Sequence, residues 1–89
     1  MKKQTLETML THLVNEMENA KQYYDLGFRH LYGAIFDVVV LEIGFLEDTE
    51  RITEDERDML LLALITGEID SFRFAVGVIC VSNGGAKHE

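Results

Sequence analysis

Eighty-nine residues make one domain and no more. Sixteen acidic side chains against eight Lys and Arg give a formal charge of −8, which argues against nucleic acid as a direct partner, since phosphate binding needs clustered cations to displace counterions. Apolar residues make up 47% of the chain, too many for a disordered acidic tail, and a single cysteine rules out an internal disulfide.

Proline is absent and the glycines are mostly isolated, so long helices are permitted throughout. The apolar spacing is helical, with no sustained strand alternation. A first helix is expected over residues 4–24. Leu6, Leu10, Leu13, Met17, Ala20 and Tyr24 recur at steps of four and three and make a heptad seam on one face. Glu7, Thr11, Glu18, Lys21 and Gln22 lie on the wet side.

Asp25, Leu26 and Gly27 offer a break, because Gly is the natural residue past a helix end. The seam nevertheless continues in phase through Phe28, Leu31, Ile35 and Val38. One unbroken helix over residues 4–46 is therefore the alternative, since a lone Gly costs only about 1 kcal/mol inside a helix.

Residues 28–46 change character. Phe28, Leu31, Tyr32, Ile35, Phe36, Val38, Val39, Val40, Leu41, Ile43, Phe45 and Leu46 cover most of the circumference. A helix apolar nearly all round is expected to be buried. Arg29, His30, Asp37 and Glu42 interrupt every window long enough for a membrane span, so no membrane partner is expected.

A charged connector, residues 47–51, follows. Thr53 with Glu56 three residues on is a capping box, with acids filling the first turn of the helix it opens. That helix carries Met59, Leu60, Leu61, Leu62, Ala63, Leu64 and Ile65, and Thr66-Gly67 offers its end. A last helix is expected over residues 69–81. Ser82, Asn83, Gly84 and Gly85 should stop it and residues 86–89 should fray. The fold class is thus all-α, a small bundle of three to four helices forming a single domain over residues 1–85.

Three segments carry apolar side chains on more than one face, and a bundle this small has one interior. The surplus predicts a homodimer. The self-association set is Phe28, Leu31, Gly33, Ile35, Asp37, Val38, Leu41 and Gly44, the glycines allowing close approach of two helix backbones. His30 and Asp37, placed on a buried helix, would need partners, across a dimer axis or at Arg73.

Candidate chemistry is thin. His12 and Glu16 are four apart, a spacing that can serve a metal, but no further ligand is visible and a solvated pair is the expectation. Cys80 has no neighbouring cation to activate it and reads as a packed thiol. The acidic residues lack the spacing of a calcium-binding loop. The order of one long helix and two shorter ones resembles that of small helical chorismate mutases. Their pockets need several arginines, and here Arg29, Arg51, Arg57 and Arg73 are the full set, two of them in the acidic region. Helical nucleotide pyrophosphatases place Glu-x-x-Glu and Glu-x-x-Asp pairs on separate helices, whereas Glu47, Glu50, Asp55 and Asp58 crowd one connector.

The expectation is a cytoplasmic, non-enzymatic regulatory or inhibitory protein with no cofactor and no metal, since no apolar signal segment follows Met1. It would bind a protein partner through Glu47, Asp48, Glu50, Glu54, Asp55, Glu56 and Asp58, an acidic surface suited to a basic, nucleic-acid-binding site. The alternatives are a structural homo-oligomeric building block and a small metal-dependent enzyme assembled across a dimer.

Overall fold

The computed structural model describes residues 5–86. Within them the chain forms four helices and no strand: α1 (Leu6–Asp25), α2 (Arg29–Asp48), α3 (Glu54–Thr66) and α4 (Ile69–Ala86). Each helix end can be traced to local chemistry. The Thr5 hydroxyl caps α1 by accepting from the Thr8 N–H at 3.1 Å. The capping box at α3 forms as read from the sequence: the Glu56 N–H donates to Thr53 Oγ1, and the Thr53 N–H donates to Glu56 Oε1.

The break at Gly27 is real, and the single long helix is not formed. Gly27 adopts φ 94°, a left-handed conformation that costs glycine nothing. Around it the Phe28 N–H bonds Tyr23 O and the Gly27 N–H bonds Tyr24 O, the paired closure of a Schellman motif. The same closure ends α2, where the Arg51 N–H bonds Leu46 O and the Glu50 N–H bonds Glu47 O. There the left-handed position holds Glu50, at φ 63°. Gly67, at φ 79°, closes α3. The Gly84-Gly85 stop does not operate, because α4 runs on to Ala86; residues 87–89 of the expected tail lie outside the described residues.

Short connections return each helix against its predecessor. α1 packs on α2 and α4, and α3 packs on α2 and α4. The result is two layers of two helices. Leu10, Leu13, Val14, Met17 and Ala20 of α1 meet Phe72, Ala75, Val76 and Ile79 of α4, Leu60, Ala63 and Leu64 of α3, and Val39, Ile43 and Leu46 of α2. Ile52 closes one end from the α2–α3 turn. No buried residue among those described is polar. Each large side chain so buried contributes about 1.5–3 kcal/mol.

The molecule measures 47 × 29 × 18 Å. A 20-residue helix is only about 30 Å long, so the elements are staggered. The α3–α4 turn reaches Met17, Lys21 and Tyr32. The tip of the α1–α2 hairpin projects past it, and residues 21–31 are all exposed. Tyr24 stacks edge-on against Tyr32 at 5.3 Å, and the Arg29 guanidinium sits 5.2 Å above the Tyr24 ring.

The burial expected for the middle helix is corrected here. Only Val39, Ile43 and Leu46 of α2 are wholly buried. One layer of neighbours covers one stripe of a helix, and α2 is apolar on more than one.

Candidate functional site

Three features of the surface bear on function. The first is the outer face of α2. Leu31, Ala34, Val38, Leu41 and Phe45 follow one another at steps of three, four, three and four, and all five are exposed. At 100° per residue they fall in an arc about 80° wide. Leu41 is 72% and Phe45 63% exposed, values typical of charged surface residues rather than of leucine and phenylalanine. No charged side chain interrupts this strip. It runs along the seam with α1, because Phe45 shares a groove with Met9 and His12. Phe28 and Leu26 extend it onto the projecting tip.

Of the self-association set, Leu31, Val38 and Leu41 lie on this strip and Phe28 lies at its end. Ile35 is turned toward the core and is half-buried. Gly33, Asp37 and Gly44 share a different face of α2. A Cβ added at either glycine would meet nothing within 4 Å, so neither is needed for packing inside the chain. His30 and Asp37 are both exposed, which corrects their placement in a buried environment. Arg73 does not reach them; it pairs with Glu18 and Asp70.

The second feature is the acidic corner between α2 and α3. All seven residues of the acidic set gather there, but the chain itself engages four of them. Arg57 reaches Glu47 and Asp58 at 2.8 Å and Glu54 at 3.5 Å. Hydrogen bonds to Asp58 and Glu47 hold its guanidinium charged even more firmly than usual. Glu56 is held in the capping box and accepts from Asn83 Nδ2 at 3.1 Å. Asp48, Glu50 and Asp55 are the exposed remainder. A second apolar surface, with Leu62, Ile65, Phe74 and Val81 exposed, lies on α3 and α4 among the charges of Asp58, Asp70 and Arg73.

The third feature joins α1 and α2. His12 Nε2 lies 3.4 Å from Glu16 Oε2, and Glu42 from α2 completes a trio whose ligand atoms are all within 4.8 Å of one another. Glu42 holds its proton to higher pH than an ordinary carboxyl, chiefly because it is partly desolvated, and further because Glu16 lies in hydrogen-bond contact and repels its charge. The reading of His12 and Glu16 as an isolated pair missed Glu42. Reflection of the sequence about Gly27 finds it, since residues 12 and 42 are equally distant from that turn. Cys80 is half-buried, with its thiol pushed up by burial and by the charge of Glu7, which suits a packed side chain rather than a nucleophile.

No family model matches the chain, and no curated protein or solved structure is similar to it. No helix among the described residues is long and apolar enough to cross a membrane.

Proposed function

We propose that the protein is a non-enzymatic interaction module, a homodimer joined through α2 that presents its acidic corner to a basic protein surface. The observation that carries this reading is the uncharged, solvent-facing strip Leu31, Ala34, Val38, Leu41 and Phe45.

The strip suits a second copy of itself. When two such helices lie antiparallel with Val38 on the twofold axis, Leu31 of one copy faces Phe45 of the other, and Ala34 lies about 1.5 Å, one residue, from the level of Leu41. Each contact away from the axis occurs twice, as an isologous interface requires. The steps of three and four keep all five residues on the seam of an antiparallel pair. The strip is about 21 Å long at 1.5 Å per residue, so the interface is modest and the dimer is expected to form in the micromolar range.

At the acidic corner, Asp48, Glu50 and Asp55 offer charge that Arg57 does not engage. Facing a basic partner, they would speed encounter and fix its orientation more than they add affinity. A surface of the kind that holds nucleic acid is the matching chemistry.

Sedimentation equilibrium tests the dimer. The unmodified protein should weigh two chains at tens of micromolar and dissociate on dilution. Leu41→Glu should sediment as one chain with an unchanged far-ultraviolet spectrum, because Leu41 contributes little to the core. A single-chain mass for the unmodified protein across that range would remove the reading.

A further inference from the structure

The trio on α1 and α2 has properties that an ordinary surface ion pair lacks. His12 and Glu16 are one helical turn apart and point to the same side. Glu42 arrives from the antiparallel neighbour, so the three ligand atoms come from two helices packed along their length. Two carboxylate oxygens, Glu16 Oε1 and Glu42 Oε1, are shut off from solvent and accept no hydrogen bond. An unsatisfied acceptor of this kind costs about 1–3 kcal/mol, more when charged. When both groups are ionised, two such oxygens on neighbouring carboxylates are stabilised by a cation beside them. A groove of about 190 Å³, lined by Met9, His12, Leu13, Glu42, Phe45 and Leu46, opens beside the trio.

We propose that His12, Glu16 and Glu42 bind a divalent first-row transition-metal ion, with zinc the best match. One imidazole nitrogen and two carboxylates are a borderline donor set, suited to zinc and its neighbours rather than to calcium or magnesium, which take oxygen alone. The 3.4 Å between His12 Nε2 and Glu16 Oε2 is the edge of a tetrahedron whose centre lies about 2.1 Å from each corner, the usual zinc–ligand distance. The Glu42 oxygen lies within 4.8 Å of the other two ligand atoms and has to draw in toward them, a movement open to a side chain beside a groove. The ion would cancel the charge of the two carboxylates and leave a fourth position for water from the groove. The site is built within one chain and does not rest on dimer formation.

Isothermal titration of chelator-treated protein with zinc chloride, and with cobalt chloride as an optical probe, tests the site. One ion per chain should bind at micromolar zinc, and thermal unfolding should shift upward as it does. His12→Ala and Glu42→Gln should each weaken binding at least tenfold and abolish that shift. His30→Ala, on the same hairpin but far from the trio, should change nothing. Both test variants should fold, since His12 is exposed and Gln keeps the shape of Glu42. Absence of stoichiometric zinc binding overturns the proposal, and so does binding that survives either His12→Ala or Glu42→Gln.

Discussion

His12 and Glu42 stand fifteen residues to either side of Gly27 and meet in the groove between α1 and α2. Their meeting follows from one backbone angle. The left-handed turn at Gly27 reverses the chain, and a hairpin of two 20-residue helices then pairs residues by reflection about that turn. Gly27 thus positions the candidate metal trio.

The two Schellman closures make a matched pair of predictions. Gly27→Ala places a Cβ on a left-handed residue and should lower stability by about 1–2 kcal/mol. Glu50→Gly relieves the same strain at φ 63° and should raise stability by about 1 kcal/mol. Urea denaturation of both variants checks the opposite signs.

Gly33→Ala and Gly44→Ala discriminate between two faces of α2. Each removes a helix-weakening glycine into open space, so each should stabilise the chain by about 0.5–1 kcal/mol. If the Leu31–Phe45 strip is the interface, dimerisation should be unaffected. Loss of the dimer in either variant would move the interface to the glycine face. Sedimentation and thermal unfolding on the same samples give both readings.

Glu42 gives a pH dependence of known sign. Its proton is held above the ordinary value of 4.5 by burial and by Glu16, so the folded state binds more protons than the unfolded one. The stabilisation this gives is full below pH 4.5 and is lost as pH rises through the folded pKa. Glu42→Gln removes the loss. In metal-free protein the variant should therefore gain on the parent as pH rises toward 7, and the gain should vanish below pH 4.5. Thermal unfolding across that range checks it; a gain that does not change with pH would contradict the assignment.

At the acidic corner some acids are engaged within the chain and others face solvent. Asp48→Lys and Glu50→Lys should leave the melting temperature nearly unchanged and weaken binding to a basic partner, with the loss reduced at high salt. Glu56→Lys should instead destabilise the chain by about 1 kcal/mol, because it breaks the capping box and removes the acceptor for Asn83. Melting curves alone sort the three.

What was legible in the sequence was whatever local chemistry decides. The capping box at Thr53 and Glu56 needs only four residues, and it forms as read. The break at Gly27 was half legible, because an in-phase apolar seam argued against a glycine that permits a stop without forcing one. The turn at Glu50 was invisible, since a left-handed glutamate leaves no mark that glycine would. Burial of α2 was misjudged for a different reason. Its apolar residues far exceed what α1 and α3 can cover, so Val39, Ile43 and Leu46 fill the core while Leu41 and Phe45 face water. Glu42 escaped notice because its partners are distant in sequence, and only the hairpin register brings them together.

Disulfide trapping at position 38 tests the dimer most directly. In a Cys80→Ser background, Val38→Cys places one thiol per chain on the proposed twofold axis, within the separation of about 4.4–6.8 Å between Cα atoms that a disulfide spans. Mild oxidation should give a covalent dimer in high yield, while Gly44→Cys and Phe74→Cys should remain single chains. A trapped dimer at position 74 or 44, with none at 38, would contradict the account.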